Sequence, residues 1–107
     1  MKMDTKERQR FRNTKQWKEF RRRLIEKQKR DAITGNPLTI TANCHHCLLD
    51  YERYTELNDE NFVILNKESH DTVHFFFLKS KPREWRKRVL NLIKILKKME
   101  KLNSKQK

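Results

Sequence analysis

The chain is poor in the residues that make tight turns and cross-links. It has one glycine and two prolines in 107 residues, which disfavours an all-β fold with many short hairpins. Its two cysteines are too few and too close in sequence to staple the chain, so we expect a reducing, cytoplasmic setting. No apolar run has the length of a membrane span, and none follows the opening residues as in a secretory signal. We therefore expect no membrane partner.

Acidic residues are scarce outside the middle of the chain. The sequence has 27 Lys and Arg against 14 Asp and Glu, a net charge of +13. Residues 1–30 carry 13 basic and 4 acidic side chains, and residues 79–107 carry 12 and 2. Residues 31–78 carry only 2 basic side chains against 8 acidic ones. Two basic arms thus flank an acidic centre, which favours phosphate backbones as partners. The alternative, which remains open, is that these basic residues lie on helix faces that contact only solvent.

Each basic arm has the apolar spacing of an amphipathic helix. In the first arm the apolar residues follow a capping Asn13 or Thr14 and begin at Trp17. Residues 1–12 are expected to be frayed, or ordered only on nucleic acid. In the last arm a 4-3 rhythm runs from Trp85 to Met99. This rhythm suits packing on the first helix or a dimer seam, with a membrane-surface helix as a third interpretation.

The middle of the chain has the pattern of two strands and a helix. We predict a strand over 38–42 with a second arm over 43–49, a loop over 50–60, a buried strand over 62–65 and a helix over 67–79 capped by Asn66. The fold class is therefore α+β. The chain is expected to be a single domain, with a basic helical arm (1–30), a core (31–78) and a basic C-terminal helix and tail (79–107).

All four histidines lie in this middle region, as two pairs. His45 and His46 are adjacent, so strand alternation puts their side chains on opposite faces. His70 and His74 are four residues apart, one turn apart on the same face of the predicted helix. Imidazole nitrogen is a frequent ligand of divalent transition metals. A hairpin packed on a helix with a metal between them is the structure that this pattern predicts.

The spacing resembles that of the HNH endonucleases, also called His-Me finger or ββα-metal nucleases. The shared elements are a histidine pair, an asparagine fifteen residues after its second member (Asn61), a histidine nine later and another four later, as in colicin-type nuclease domains. The likeness covers residues 42–77, about a third of the chain. It implies a ββα-metal core flanked by a basic helix at each end. Many relatives carry additional Cys-x-x-Cys pairs, whereas this chain has only Cys44 and Cys47.

The resemblance also implies roles for individual residues. His45, His70 and His74 are expected to bind the metal, His46 to act as the general base, and Asn61 to brace the loop that aligns this base. Because all three ligands are nitrogen, a single Zn²⁺, Ni²⁺ or Mn²⁺ ion is favoured. Mg²⁺ is an alternative, bound through fewer histidines and more waters.

The implied activity is metal-dependent hydrolysis of DNA phosphodiester bonds, by nicking or double-strand cleavage, with weak sequence preference. The substrate is expected to be double-stranded DNA, with a second copy or a phage or host protein as a further candidate partner. Compact proteins of this family are associated with phages and mobile elements, which would place the chain in the host cytoplasm. The phosphate contacts are assigned to basic residues of the two arms: Arg21, Arg22, Arg23, Lys27, Arg86, Lys87 and Arg88.

Three other interpretations remain open. A structural zinc site of Cys44, Cys47, His70 and His74 would give a binding module without catalysis. A degenerate HNH fold would bind DNA or a partner protein without cutting. The segment from His70 to His74 is also similar to the His-Glu-x-x-His of zinc proteases, with Asp71 in place of Glu. A protease would leave the basic arms unexplained.

Overall fold

The computed structural model describes residues 4–104, and over this range the chain is an α+β protein, as predicted. Two antiparallel strands form its sheet, and four α-helices accompany them. The elements in order are α1 (Thr5–Arg12), α2 (Lys15–Gln28), β1 (Asn43–His46), β2 (Phe62–Leu65), α3 (Lys67–Val73) and α4 (Pro82–Asn103). Contacts divide the chain into two compact units, Met1–His70 and Asp71–Lys107, with the boundary inside α3. The expectation of a single domain stays a prediction.

The hairpin is built from different residues than the sequence indicates. β1 pairs with β2 in a register that sets His45 opposite Val63 and His46 opposite Phe62. The prediction of a strand over 38–42 is wrong. This segment instead contains a turn, in which the backbone N–H of Ala42 donates to the carbonyl of Thr39 at 3.1 Å. β-Branched residues favour a strand only where one face is buried, and Ile40 is 94% exposed.

The core of the first unit lies between α2 and the hairpin. Trp17, Phe20 and Leu24 of α2 are buried together with Ala42 and Ile64. Each such large apolar side chain contributes about 1.5–3 kcal/mol on burial. The helical stripe predicted in the first arm is therefore confirmed as a core face, and its aromatic members are not available to stack on bases.

Two polar side chains of α2 fix the hairpin to this helix. The Gln28 amide oxygen accepts from the backbone N–H of Ile64 at 2.9 Å, and its nitrogen donates to the Ile64 carbonyl at 2.7 Å. The Arg21 guanidinium donates to the carbonyls of Ile40 and Ala42, just before β1. Both interactions satisfy backbone groups that lack a strand partner, so they hold the hairpin against α2.

The N-terminal residues differ from the prediction. The expectation of a frayed segment is wrong for residues 5–12, which form α1, whereas residues 1–3 lie outside the described part of the chain. The carboxylate of Asp4 accepts from the backbone N–H of Glu7 at 2.7 Å and caps this helix. Phe11 anchors it, because its ring lies 5.4 Å from that of Trp17. The cap and the ring contacts of Phe11 with Trp17 and Tyr54 stabilise a helix too short to persist alone.

The second unit consists of the end of α3, a wider turn and the long helix α4. α3 continues as a π-helical turn over His74–Leu78, so the helix predicted over 67–79 is confirmed in position. α4 begins at Pro82 as predicted. The indole N–H of Trp85 donates to the carbonyl of Phe77 at 2.6 Å and holds α4 to the π-helical turn. None of the helices in residues 4–104 has the length and apolarity needed to cross a membrane.

Candidate metal centre

Three of the four histidines come together. The candidate ligand nitrogens of His45, His70 and His74 all lie within 4.8 Å of one another. His45 comes from the middle of β1, and the two others lie one helical turn apart. The rings of His45 and His70 meet edge to face, with centroids 5.5 Å apart. His45 is buried, His70 is half-buried and His74 is exposed, so the cluster faces solvent on one side.

The donor set fits a divalent transition metal. Zn–N bonds of 2.0–2.1 Å in a tetrahedral site place ligand nitrogens about 3.3 Å apart, which small rotations of the three rings can reach from the observed spacing. Imidazole suits zinc and nickel better than magnesium. Three protein ligands also leave a coordination position for water, an arrangement found in catalytic zinc sites. These three residues can therefore hold one metal ion.

Asp31 fixes the start of α3 and was not among the predicted site residues. Its side chain is 3% exposed. One carboxylate oxygen accepts from the Ser69 hydroxyl at 2.8 Å, and the other accepts from the backbone N–H of Asn66 at 2.7 Å. Since Ser69 directly precedes His70, this carboxylate sets the position of the helix turn that carries a candidate ligand.

The same carboxylate also organises the loop that contains the only glycine. It accepts from the backbone N–H groups of Ile33 and Thr34, each at 2.8 Å. Burial raises the pKa of Asp31, but these two bonds and those from Asn66 and Ser69 outweigh it and hold the pKa at about 2. The sequence does contain a signal for this loop, because Asp31 precedes a Thr-Gly turn. Asp side chains often accept hydrogen bonds from backbone N–H groups a few residues further along the chain.

Asn66 precedes α3 as predicted, but its side chain does not cap the helix. Its amide oxygen accepts from the backbone N–H of Thr39 at 2.9 Å, and its nitrogen donates to the carbonyl of Pro37 at 3.1 Å. Asn66 therefore ties the segment before β1 to the start of α3. The backbone of Asn66 still begins the helix, because its carbonyl accepts from the N–H of His70.

His46 lies on the other face of β1, as strand alternation predicts. Its ring stacks on Tyr54 with centroids 4.2 Å apart and lies nearly parallel to Trp17 at 5.7 Å. The carbonyl of Tyr54 lies 3.3 Å from Nε2 and can only accept a hydrogen bond, so Nε2 carries the proton and Nδ1 keeps its lone pair. Burial lowers the pKa of His46, and the charge of Arg12 lowers it further, against the opposing effect of the Tyr54 carbonyl. The ring is therefore neutral at physiological pH.

Asn61 lies where the chain enters β2. Its backbone carbonyl accepts from the N–H of Cys47 at 2.8 Å. This bond continues the pairing of His46 with Phe62 by one residue and closes the loop that contains Tyr54. Asn61 therefore lies at the base of the loop that contains Tyr54, the residue whose carbonyl contacts His46.

Neither cysteine belongs to the histidine cluster. Among residues 4–104, the three histidines are the one group of three or more candidate ligands whose atoms come together. Cys44 packs against the core beside Ile64 and alternates with His45 along β1. Burial raises the pKa of Cys44 to about 12, partly opposed by Arg21 and slightly reinforced by Cys47. Since neither thiol comes together with His70 and His74, the geometry disfavours the structural zinc site.

The basic residues of α2 are engaged within the chain. The Arg23 guanidinium binds both carboxylate oxygens of Asp59 at 3.1 Å, and Lys27 contacts the same carboxylate at 3.2 Å. Arg22 pairs with Glu26 at 3.0 Å on the exposed side of the helix. Together with the bonds of Arg21 to the hairpin, these contacts occupy the four basic residues of α2 that were expected to meet phosphates.

The basic residues expected on α4 differ in their surroundings. Arg86 and Lys87 are exposed. The guanidinium of Arg88 lies 5.3 Å from the ring centres of both Phe75 and Phe76, which is a cation–π contact. Of the three, Arg86 and Lys87 present their charge to solvent.

Comparison with known proteins gives no relative for this chain. Neither a family model, nor a curated protein, nor a solved structure matches it. The HNH resemblance therefore stays a prediction from the spacing of the histidines and Asn61.

Proposed function

We propose that this protein is a metal-dependent endonuclease of the HNH type and that DNA is its substrate. In this proposal the β1–β2 hairpin and α3 form a ββα-metal core. The observation that carries it is the convergence of His45, on the hairpin, with His70 and His74, one turn apart on the following helix. All three were expected as ligands from the family spacing.

The chain's own residues have distinct tasks in this chemistry. His45, His70 and His74 would hold one divalent ion, with Zn²⁺ and Ni²⁺ preferred for three nitrogen donors and Mn²⁺ or Mg²⁺ as alternatives. When bound, the ion supplies positive charge that stabilises the phosphate and the leaving oxygen. Asp31 positions this ligand set, because it fixes the turn of α3 that precedes His70.

His46 is the proposed general base. The carbonyl of Tyr54 fixes the proton on Nε2, so Nδ1 is the atom that accepts a proton from the attacking water. The water oxygen then bonds to phosphorus, the bond from phosphorus to the leaving sugar oxygen breaks, and that oxygen takes up a proton from solvent. Asn61 supports this geometry through the backbone bond at the base of the loop. His46 directly follows the ligand His45 on β1, with its ring on the other face of the strand.

DNA would be held by its phosphates and not read by its bases. Exposed basic residues of α4, such as Arg86 and Lys87, can contact the backbone without sequence preference. The net charge of +13 favours encounter with a polyanion.

The test is a supercoiled-plasmid assay with the wild type and two variants, in EDTA and with Zn²⁺, Ni²⁺, Mn²⁺ or Mg²⁺. His46→Phe keeps an aromatic ring against Tyr54 and Trp17 but cannot accept a proton, and Cys47→Ser is the matched control. Circular dichroism verifies folding. We expect metal-dependent nicking by the wild type and by Cys47→Ser, and a loss of roughly 100-fold or more in His46→Phe. Unchanged nicking by a folded His46→Phe would remove His46 from the mechanism.

One observation favours a second candidate, a non-catalytic DNA-binding module on the same fold. The His46 ring is half-buried and stacked on Tyr54, which is also how a purely structural aromatic residue packs. This candidate predicts no nicking with any metal, together with DNA binding that weakens steeply as salt rises. The plasmid assay and a binding titration at two salt concentrations separate the two functions.

A further inference from the structure

The C-terminal half of α4 exposes a continuous apolar stripe. Six large apolar side chains over residues 92–102 are between 38% and 66% exposed: Leu92, Ile93, Ile95, Leu96, Met99 and Leu102. An isolated exposed leucine is ordinary on a protein surface, but a contiguous stripe of this kind marks an interaction surface. The first turns of α4 differ, because Trp85 there is packed against Phe77.

The spacing of the stripe selects a helix as its partner. Val89, Leu92, Leu96 and Met99 follow one another at intervals of three, four and three residues, which continue the interval of four from Trp85. This average period of 3.5 residues keeps a seam facing a second helix of the same period. The apolar residues beside the seam, among them Ile93 and Ile95, widen it as in helical bundles.

The placement of charge decides which helix that is. On a helical wheel Lys94, Lys97, Lys98 and Lys101 all lie on the face away from the stripe. In the last two heptads the positions that flank the seam are 93, 95, 100 and 102, and they contain no lysine or arginine and a single acid, Glu100. An acidic partner or an anionic membrane surface would be matched by basic residues along these flanks. A second copy of α4 meets no like-charged lysines there, because they all point outward.

We propose that the apolar stripe of α4 binds the same stripe of a second copy, forming a homodimer through paired α4 helices. The seam spans about two heptads, so it is short for a coiled coil and the dimer should dissociate at low concentration. The lysines stay on the outer surface of the pair, where they are accessible to phosphates. The proposal does not depend on nuclease activity.

The test compares three forms of the full chain by sedimentation velocity from low micromolar to near-millimolar concentration. Leu92→Gln with Leu96→Gln removes two residues of the seam without changing charge. Lys94→Gln with Lys98→Gln is the matched control on the opposite face. Circular dichroism reports whether each form keeps its helices.

We expect the wild type and the lysine variant to shift with concentration from 13.3 kDa to twice that mass. The leucine variant should stay at the mass of one chain throughout. If that variant loses helix, the wild-type concentration series decides alone. A wild type that remains at 13.3 kDa at every concentration overturns the proposal. A leucine variant that dimerises as well as the wild type also overturns it.

Discussion

The hydroxyl of Ser69 donates to the buried carboxylate of Asp31 at 2.8 Å, across 38 positions of sequence. This bond joins the loop after α2 to the first turn of α3, immediately before the candidate ligand His70. This carboxylate accepts from four donors in a site that is 3% exposed. Protonating or replacing it therefore lowers the stability of the fold. Asp31 therefore links the stability of the first unit to the geometry of the metal centre.

The Asp31 network predicts an acid-sensitive fold. Because the pKa of Asp31 is about 2 in the folded chain and 3.8 ordinarily, the carboxylate stabilises the fold above about pH 4 and this stabilisation is lost as the pH falls toward 2. Asp31→Asn keeps the size of the side chain but places an NH₂ group opposite backbone donors. We expect it to lower the free energy of unfolding by about 1–3 kcal/mol at pH 7, as measured by urea denaturation. The difference from the wild type should shrink below pH 4; a difference independent of pH would contradict this account.

The amide of Gln28 predicts a second stability effect. Gln28→Ala leaves the backbone N–H and carbonyl of Ile64 without their side-chain partners, which should cost about 1–3 kcal/mol in urea denaturation. Gln16→Ala is the matched control, because Gln16 is an exposed residue of the same helix. Equal stability of the two variants would show that Gln28 does not hold the hairpin to α2.

Elements with a strong local signal were predictable from the sequence, whereas partners distant in sequence were not. The cap at Thr14, β2, and the start of α4 at Pro82 lie where predicted, because capping, apolar runs and proline act over a few residues. The strand over 38–42 was misassigned because β propensity depends on a neighbouring strand that the sequence does not specify.

The same distinction applies to the candidate site. The convergence of the three histidines was predictable because two of them share a helix face and the third belongs to a recognisable pair. The carboxylate of Asp31 and the aromatic stack on His46 were not, since both depend on contacts between segments far apart in the chain. The basic residues of α2 show a further limit, because sequence charge does not reveal that Asp59 folds back onto Arg23 and Lys27.

The histidine cluster predicts a metal affinity that depends on three residues. His45→Ala and His70→Ala should each weaken Zn²⁺ or Ni²⁺ binding by roughly 100-fold or more in isothermal titration calorimetry, because each removes a nitrogen donor. Cys44→Ala and Cys47→Ala are the controls and should bind as the wild type does. Zinc binding lost in the cysteine variants and kept in His45→Ala would instead support the structural zinc site.

The two basic arms should contribute unequally to DNA binding. Arg86→Gln with Lys87→Gln removes two exposed charges, so we expect weaker binding and a salt slope reduced by about 2. Arg23→Gln is the comparison, because this arginine is already paired with Asp59 and should matter little. Fluorescence anisotropy with a labelled duplex at several salt concentrations measures both. A larger loss in Arg23→Gln would mean that DNA displaces Asp59.

X-ray absorption spectroscopy of the zinc-loaded protein tests the central claim, that the metal is bound by His45, His70 and His74, most directly. The account predicts a first shell of nitrogen and oxygen atoms at about 2.0–2.1 Å, with the multiple-scattering features of imidazole and no sulfur. His70→Ala should lose part of the imidazole signal. A sulfur shell at about 2.3 Å would contradict the three-histidine centre and assign the metal to the cysteines.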